Sequence, residues 1–250
     1  MTLRKGDDLA GKVALVTGAG RNIGRAIARS LAAGGAAVMV NANTSEAAAR
    51  ETVALIEKDG GTAAHYIADV TDEAAVNAMV EATVAKFGRL DILVNNHTLR
   101  DQTPFEEMTY AKWRQTVGVI LDGAFLTSRA AVPHLIEAGG GAIVHMGGQH
   151  GYTGGRRSAH VSAGKLGVLG MTRSMAHDLA PYKITVNCVS PALINTRGES
   201  GELAHARATP PIGRLGTMEE VAAMVRMLCG PDGSYITGQA IHMNGGGYMA

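Results

Sequence analysis

Residues 17–24 read Thr-Gly-Ala-Gly-Arg-Asn-Ile-Gly, and this stretch decides the fold. It follows a short apolar run and leads directly into an alanine-rich segment with helical periodicity. Glycines at such a turn allow positive φ angles and let backbone N–H groups approach a pyrophosphate at the positive end of the helix. The stretch therefore predicts a dinucleotide-binding strand–turn–helix unit, with a tight turn that holds no ligand as the alternative.

The same alternation of apolar run and helical segment continues to the end of the chain. Strands are predicted at 12–17, 37–41, 65–68, 90–95, 142–146, 184–189 and 240–243. Helices are predicted near 23–34, 45–59, 72–87, 109–138, 158–180 and 217–229. Continuous apolar strands indicate a sheet covered on both faces, and strand–helix repetition indicates right-handed crossovers. We expect an α/β fold, namely a Rossmann-type, doubly wound, seven-stranded parallel sheet in three αβα layers.

We expect residues 1–250 to form a single domain, because no linker, repeat or low-complexity tract interrupts the pattern. The segment 195–216 is rich in glycine and proline and predicts a flexible insert on the substrate side.

Composition narrows the classes of function. The chain has 250 residues, 46% of them hydrophobic, with a formal net charge of +1. Such a chain can bury a large core, and it has no strong field to recruit nucleic acid or a membrane. No signal peptide is visible at residues 1–8, and no stretch approaches the ~18 uninterrupted apolar residues of a membrane span. Cys188 and Cys229 lie in apolar runs and predict buried thiols in a reducing compartment, so we expect a cytoplasmic protein.

From about residue 11 to its end, the chain resembles the short-chain dehydrogenase/reductase family, close to the 3-oxoacyl-ACP-reductase type. The family's glycine-rich turn matches at Thr17, Gly18 and Gly24, with Asn22 in place of a glycine. Asparagine adopts the left-handed backbone region more readily than most residues, so we expect the turn to be retained. The resemblance implies a nicotinamide cofactor.

Further matches lie after later strands. Asp69 and Val70 stand where the family contacts adenine, and Asn95-Asn96 matches half of the family's NNAG motif. Ile194 and Thr196 occupy the positions that hold the carboxamide. The predicted cofactor site consists of Gly18, Arg21, Asn22, Ile23, Gly24, Asn43, Asp69, Val70, Asn95, Asn96, Lys165, Ile194 and Thr196.

The end of the second predicted strand indicates which nucleotide binds. An NAD site usually has a carboxylate there, which accepts a hydrogen bond from the ribose 2′-hydroxyl. Residues 40–45 contain no acidic residue. Arg21 could instead pair with a 2′-phosphate, although a solvated surface arginine is the alternative. We therefore favour NADP(H) over NAD(H).

The family's catalytic positions are largely replaced. The resemblance implies a serine that holds the carbonyl oxygen, a tyrosine that delivers the proton, a lysine that lowers the tyrosine pKa, and an asparagine that leads water to the lysine. Lys165 is retained, but Gly148, Val161 and Ile120 stand at the serine, tyrosine and asparagine positions. These three have no side-chain donor or acceptor, and a positioned general acid contributes typically ~10²–10⁴-fold.

Substitutes are available nearby in sequence. The candidate acid or base residues are Lys165, Tyr152, His150 and His160, each with a non-catalytic surface or packing role as the alternative. His97 stands beside the expected nicotinamide ribose, where it would contact substrate, obstruct the cofactor or simply pack. Arg100, Arg156 and Arg157 could bind an anionic substrate. No His-x-His or His-x₃-His spacing supports a metal site.

Three hypotheses stay open at this stage. The first is an NADP(H)-dependent oxidoreductase that acts on a small or medium carbonyl or alcohol with a non-standard acid/base set. The second is a redox-neutral lyase, hydrolase or dehalogenase-like enzyme on the same fold. The third is a catalytically inactive subunit that partners an active homologue. The resemblance also implies a homo-oligomer, a dimer or tetramer, joined through the helices near 109–138 and 158–180 and the last strand.

Overall fold

The computed structural model describes residues 5–196 and 210–249. Most of the predicted flexible insert, 197–209, lies outside the described residues. The described chain forms an α/β fold with seven parallel strands, as the sequence predicts. The strands are β1 Val13–Val16, β2 Ala37–Ala42, β3 Thr62–Ile67, β4 Ile92–Asn95, β5 Gly141–Met146, β6 Ile184–Pro191 and β7 Ala240–Met243.

The strand order across the sheet is β3-β2-β1-β4-β5-β6-β7. The order reverses between β1 and β4, which are hydrogen-bonded neighbours although two strands separate them in sequence. Loops that leave β1 and β4 at their carboxyl ends therefore diverge to opposite faces and open a crevice, which is where ligands bind in such sheets.

Eight α-helices flank the sheet in the described ranges. They are α1 Asn22–Ala33, α2 Glu46–Lys58, α3 Glu73–Phe87, α4 Tyr110–Val117, α5 Gly123–Glu137, α6 His150–Thr153, α7 Ala159–Leu179 and α8 Met218–Cys229. A π-helical turn, Gly118–Asp122, joins α4 to α5. Single 3₁₀ turns lie at Phe105–Glu107, Ala180–Tyr182 and Pro231–Gly233.

Strand β1 shows why the molecule has three layers. Successive side chains of a strand point to opposite faces, and every residue of β1 is buried. Ala14 and Val16 pack with α1, α2 and α8 in one apolar cluster. Val13 and Leu15 pack with α3, α5 and α7 in a second cluster on the opposite face. The uninterrupted apolar run of β1 is thus the signature of a strand that is covered on both sides.

The structure departs from the sequence-based elements at three places. β3 begins at Thr62 rather than at residue 65, because its alanines lack the β-branched signal of a strand. The helix predicted at 109–138 is interrupted by the π-helical turn. The short helix α6 was not predicted, since one turn carries no periodicity.

The segment Tyr110–Glu137 is the one helical stretch in the described ranges that is long and apolar enough to cross a membrane by length and composition. It contacts α3 and α7 within the fold, and core helices of globular proteins pass the same test.

A buried carboxylate fastens the amino end of the sheet. Asp91 precedes β4 and is 1% exposed. Its oxygens accept hydrogen bonds from the backbone N–H of Val13 at 3.0 Å and from the side chains of Lys12 and Arg89. The same residue therefore joins β1 to β4 and satisfies a backbone donor that has no partner in the ladder.

We expect Asp91→Ala to lower the free energy of unfolding by about 1–3 kcal/mol, because it leaves the Val13 N–H buried without an acceptor. Urea denaturation checks this value. The matched control is Asp59→Ala, which removes a half-exposed ion pair with Arg29 and should cost less than about 1 kcal/mol. Equal losses in the two variants would contradict a special role for Asp91.

Candidate active site

The glycine-rich turn after β1 is built around two left-handed residues. Gly18 has φ 59° and Asn22 has φ 50°. Asn22 replaces a glycine of the family's motif, and the structure confirms the expectation that it adopts the left-handed region there. Gly24 lies in the first turn of α1, and a Cβ at this residue would overlap the Gly18 carbonyl oxygen and the Asn96 amide. The turn is therefore tight because glycine occupies its closest point.

Asn96 holds this turn against the end of β4. Its Nδ2 donates to the carbonyl oxygens of Thr17 at 3.1 Å and Gly18 at 3.0 Å. The backbone N–H of Asn96 in turn donates to the Thr17 hydroxyl at 3.0 Å. The predicted cofactor residue Asn96 is thus a support for the turn, with its amide already engaged by the protein.

The amino end of α1 is free to receive an anion. The residue before the helix is Arg21, which supplies no side-chain cap, and the first turn contains no acidic residue. Arg21 is exposed, whereas Ile23 packs against the core. Uncapped N–H groups at a helix start, together with a nearby guanidinium, match the chemistry of a phosphate group. These residues fit a dinucleotide.

The described residues at the end of β2 include no unpaired carboxylate that could accept a hydrogen bond from a ribose 2′-hydroxyl. Asn41 is buried and donates to the backbone carbonyl of Ala68 at 3.1 Å, while its Oδ1 receives the N–H of Gly18 at 3.3 Å. Asn43 is exposed. The nearest acid along the chain, Glu46, is held by Arg50 at 2.6 Å and contacts His65 at 3.4 Å. A ribose 2′-hydroxyl would find amides here and a carboxylate that is already paired.

The remaining cofactor positions of the sequence prediction lie in three environments. Asp69 is exposed and its Oδ1 accepts from the N–H and hydroxyl of Thr71 at 2.9 and 2.8 Å. Val70 is buried, and its side chain faces Gly123. Ile194 pairs with Gly216 in a parallel bridge, and Thr196 is the last described residue before 197–209.

Asn95, a predicted cofactor residue, has a side chain that is turned toward α5. The residue is 3% exposed. Its Oδ1 accepts from the Thr127 hydroxyl at 2.7 Å, and its Nδ2 donates to Ser128 Oγ at 3.0 Å. A side chain that is saturated by α5 has no group left for a ligand. The sequence could not show this, because the side chain at the last residue of a strand can face either layer.

Two of the positions predicted to replace the family's catalytic residues, Ile120 and Val161, are buried and apolar. Ile120 and Val161 lie in one small cluster with Ala124 and Val168, and a Cβ on Gly164 would lie 3.0 Å from Ile120. Ile120 belongs to the π-helical turn, a feature that often occurs at functional sites. Gly148 leaves open space, since a Cβ there would meet only Lys165 Cγ at 3.9 Å.

Lys165 is the polar group that remains at this place. Its Nζ donates to the carbonyl oxygen of Met146, the last residue of β5, at 2.6 Å. Burial lowers the pKa of Lys165 to about 8, and the nearby charge of Arg100 also lowers it. The lysine is thus a half-buried ammonium group, shielded enough that it releases its proton at about pH 8.

Two buried histidines lie near Lys165, His97 in the loop after β4 and His145 on β5. His97 Nδ1 is 2.8 Å from the Thr17 hydroxyl, and His145 Nδ1 is 3.1 Å from Asn95 Nδ2. Burial, together with the charge of Lys165, lowers the pKa of each to about 3. Both rings are therefore neutral at pH 7. The contacts of His97 correspond to the packing alternative for that residue.

The other three candidate acids are not joined to Lys165 by any hydrogen bond in the described chain. His150 is exposed at the start of α6. His160 is fully buried, burial lowers its pKa, and the charges nearest to it are Asp101 and Lys112. Their proximity to the site along the chain stays a prediction, and the sequence does not fix the directions of their side chains.

Tyr152 is directed into an aromatic cluster that the sequence did not reveal. Its ring centroid lies 4.4 Å from that of His242 and 5.4 Å from that of Tyr248. Its hydroxyl is buried beside Ser190 without a well-formed hydrogen bond, and burial raises its pKa. The partners come from β7 and the chain end, so no local signal could have identified them.

The described residues contain no group of three His, Cys, Asp or Glu side chains that could hold a metal ion. Cys188 is a buried free thiol whose pKa is raised by burial, and it lies beside Ser190. Cys229 is also free and is half-buried.

The fold and the turn together define a dinucleotide-binding protein of Rossmann type. A family model described as enoyl-(acyl carrier protein) reductase matches residues 18–248. The chain is 38% identical over 243 residues to the 3-oxoacyl-[acyl-carrier-protein] reductase of Escherichia coli, covering 96% of this chain and 98% of that one. It is also 38% identical over 247 residues to cis-4-hydroxycyclohexanecarboxylate dehydrogenase of Sinomonas cyclohexanicum, covering 96% and 98%.

Among solved structures, a variant of a Serratia marcescens short-chain dehydrogenase/reductase superimposes with a TM-score of 0.89 at 35% identity. It covers 96% of this chain and 98% of the other. The chain belongs to the short-chain dehydrogenase/reductase family and has the fold of its oxidoreductases.

We expect the Lys165 ammonium group to titrate near pH 8, because burial favours the neutral amine. Between that pH and about 10.4, the unfolded chain holds a proton that the folded chain has released, so this group makes the free energy of unfolding rise with pH. The ¹³Cε shift of labelled lysine reports the midpoint, and Lys165→Met assigns the signal. A midpoint near pH 10 would refute the burial of this charge.

Proposed function

We propose that this protein is an NADP(H)-dependent oxidoreductase that reduces a small or medium carbonyl compound, or oxidises the matching alcohol, with Lys165 as its acid/base group. The observation that carries the proposal is the glycine-rich turn after β1 together with a half-buried lysine at the same edge of the sheet, whose pKa is about 8. A general acid works best when its pKa lies near the operating pH.

In the proposed reaction, the hydride comes from the cofactor and the proton comes from the protein. A reduced nicotinamide, held at the glycine-rich turn by Gly18 and Arg21, would supply hydride chemistry when bound. The Lys165 ammonium group donates a proton to the carbonyl oxygen, which leaves an alcohol and a neutral amine. The Met146 carbonyl holds Nζ at the carboxyl end of β5, and the open space at Gly148 admits the substrate oxygen. Ile120 and Val161 exclude water and keep the environment of the amine apolar.

The preference for NADP(H) rests on the surroundings of the ribose. Arg21 is exposed and forms no ion pair with any described residue, so its guanidinium is available to a 2′-phosphate. Glu46 is already paired with Arg50 and would not compete for the ribose. Asn43 is exposed on the same side and offers an amide donor.

We expect Arg21→Gln to weaken NADPH binding by about 10- to 100-fold, which corresponds to the loss of one charge-assisted hydrogen bond of about 1.5–3 kcal/mol. NADH binding should change little. Calorimetric titration of both nucleotides checks this, with Arg129→Gln on the distant face of α5 as the control. A wild-type protein that binds NADH more tightly than NADPH would contradict the assignment.

The activity itself is tested by NADPH oxidation against a panel of ketones, aldehydes and quinones. We expect turnover with the wild type and a fall in kcat of about 10²–10⁴-fold in Lys165→Met, because the proton donor is lost. The control is Lys86→Met, which removes an exposed lysine of α3.

The inactive-subunit hypothesis is favoured by one observation, the apolar cluster that fills two catalytic positions. The double variant Gly148→Ser/Val161→Tyr separates it from the proposal. If the wild type binds NADPH but turns over no compound while the double variant becomes a reductase, the protein is an inactive partner. If neither the wild type nor the double variant oxidises NADPH with any compound, a redox-neutral reaction is favoured.

We further propose a cytoplasmic homo-oligomer, a dimer or tetramer, that acts on a small-molecule substrate. Phe125 on α5 and Leu166 on α7 are about half exposed, at 50% and 49%. Apolar side chains of this size on adjacent helices suit a contact between two copies of the chain.

A further inference from the structure

We propose that the substrate carries an anionic group, a carboxylate or a phosphate, and that Arg100, Arg156 and Arg157 bind it at the mouth of the site. This inference rests on the proposed function and adds the chemical class of its substrate. It begins from an imbalance of charge on two loops that lie at the same edge of the sheet.

The two loops are held together over the site. Residues 96–104 follow β4, and residues 147–158 follow β5, which is its hydrogen-bonded neighbour. The backbone N–H of Thr103 donates to the carbonyl oxygen of Arg157 at 2.9 Å, and this bond joins the loops. Both chains leave the carboxyl ends of their strands, so they border the crevice that contains Lys165.

The arginines of these loops have no acidic partner. Arg100, Arg156 and Arg157 are exposed, and none forms an ion pair within the described residues. Elsewhere in the described chain, the arginines of α1, α2, α4, α5 and α8 each pair with a carboxylate. Arg21 before α1 and Arg173 on α7 are the other described arginines without an ion pair, so three of the five unpaired guanidiniums lie on these two loops.

The acids of the first loop do not neutralise this charge. Asp101 is paired with Lys112 at 2.7 Å, and Glu106 and Glu107 form no ion pair with the three arginines in the described structure. The positive charge reaches the reaction centre, because the charge of Arg100 contributes to the lowered pKa of Lys165. An anion placed here would be attracted before its carbonyl group meets the lysine.

Arg157 adds a conformational observation. Its φ is 58°, in the left-handed region that favours glycine, although it is neither glycine nor asparagine. Strained backbone of this kind persists only where the surroundings hold it, and it is common at ligand-binding positions. The bond from Thr103 holds the residue in this conformation, and Gly154 and Gly155 precede it in the same loop.

A guanidinium group matches a carboxylate or a phosphate through paired N–H donors, so the shared chemistry is an oxyanion. We expect the protein saturated with NADPH to bind benzoate or phenyl phosphate at least about tenfold more tightly than benzamide. Calorimetric titration measures the three affinities without any need for turnover. The ratio of benzoate to phenyl phosphate identifies which oxyanion the site prefers.

The variant for this test is Arg100→Gln/Arg156→Gln/Arg157→Asn. Asparagine at 157 removes the charge but still adopts the left-handed region, so the loop keeps its shape. The preference for the anions over benzamide should fall by about tenfold or more, while NADPH affinity and the melting temperature stay unchanged. Arg129→Gln, which removes one positive charge from the outer face of α5, is the matched control.

The outcomes separate this inference from the proposed function. If anions bind through the arginines but no compound is reduced by NADPH, the anion-binding site is supported and the proposed reductase activity is refuted. If neutral ketones are reduced and anions are not preferred, the reductase activity is supported and the proposed anion-binding site is overturned. A parallel loss of NADPH affinity in the triple variant also overturns it, because the arginines would then serve the cofactor.

Discussion

The bonds from the Asn96 side chain to the Thr17 and Gly18 carbonyls are the contact on which the site depends. They join the first strand–helix turn to the end of β4, across the point where the strand order reverses. The turn has few internal hydrogen bonds of its own, since its residues are bent into left-handed geometry at Gly18 and Asn22. An amide from a neighbouring strand therefore fixes its shape, and the uncapped start of α1 is left open to a phosphate.

Around this support, the chain divides its polar groups by position. Those on the α5 side, Asn95, Thr127 and Ser128, satisfy one another and hold β4 to α5. Arg100, Arg156 and Arg157, on the loops after β4 and β5, form no ion pair in the described chain. Between them lies Lys165, which bonds to one backbone carbonyl and borders an apolar cluster. Burial keeps the lysine close to its point of titration, because few groups stabilise its charge.

The fold was accessible from sequence because its signals are local. Continuous apolar strands, alanine-rich helices and the glycine-rich turn each predict one element, and parallel topology follows from their alternation. The conformation of Asn22 could also be predicted, since it depends on one residue's steric preference. The directions of His160, Tyr152 and Asn95 could not. Two of them contact partners far along the chain, His242 for Tyr152 and Thr127 for Asn95, and His160 is buried without a hydrogen-bond partner among the described residues.

The π-helical turn at Gly118–Asp122 acts as an inserted residue between α4 and α5. A regular α-helix advances about 100° per residue, so one residue fewer would rotate α5 by that angle relative to α4. Thr127 and Ser128 would then swing away from Asn95, and Ile120 would leave the apolar cluster. The π-helical turn thus sets the register at which Thr127 and Ser128 face Asn95 while Ile120 packs in the apolar cluster. Deleting one residue from the turn would make these two sets of contacts incompatible.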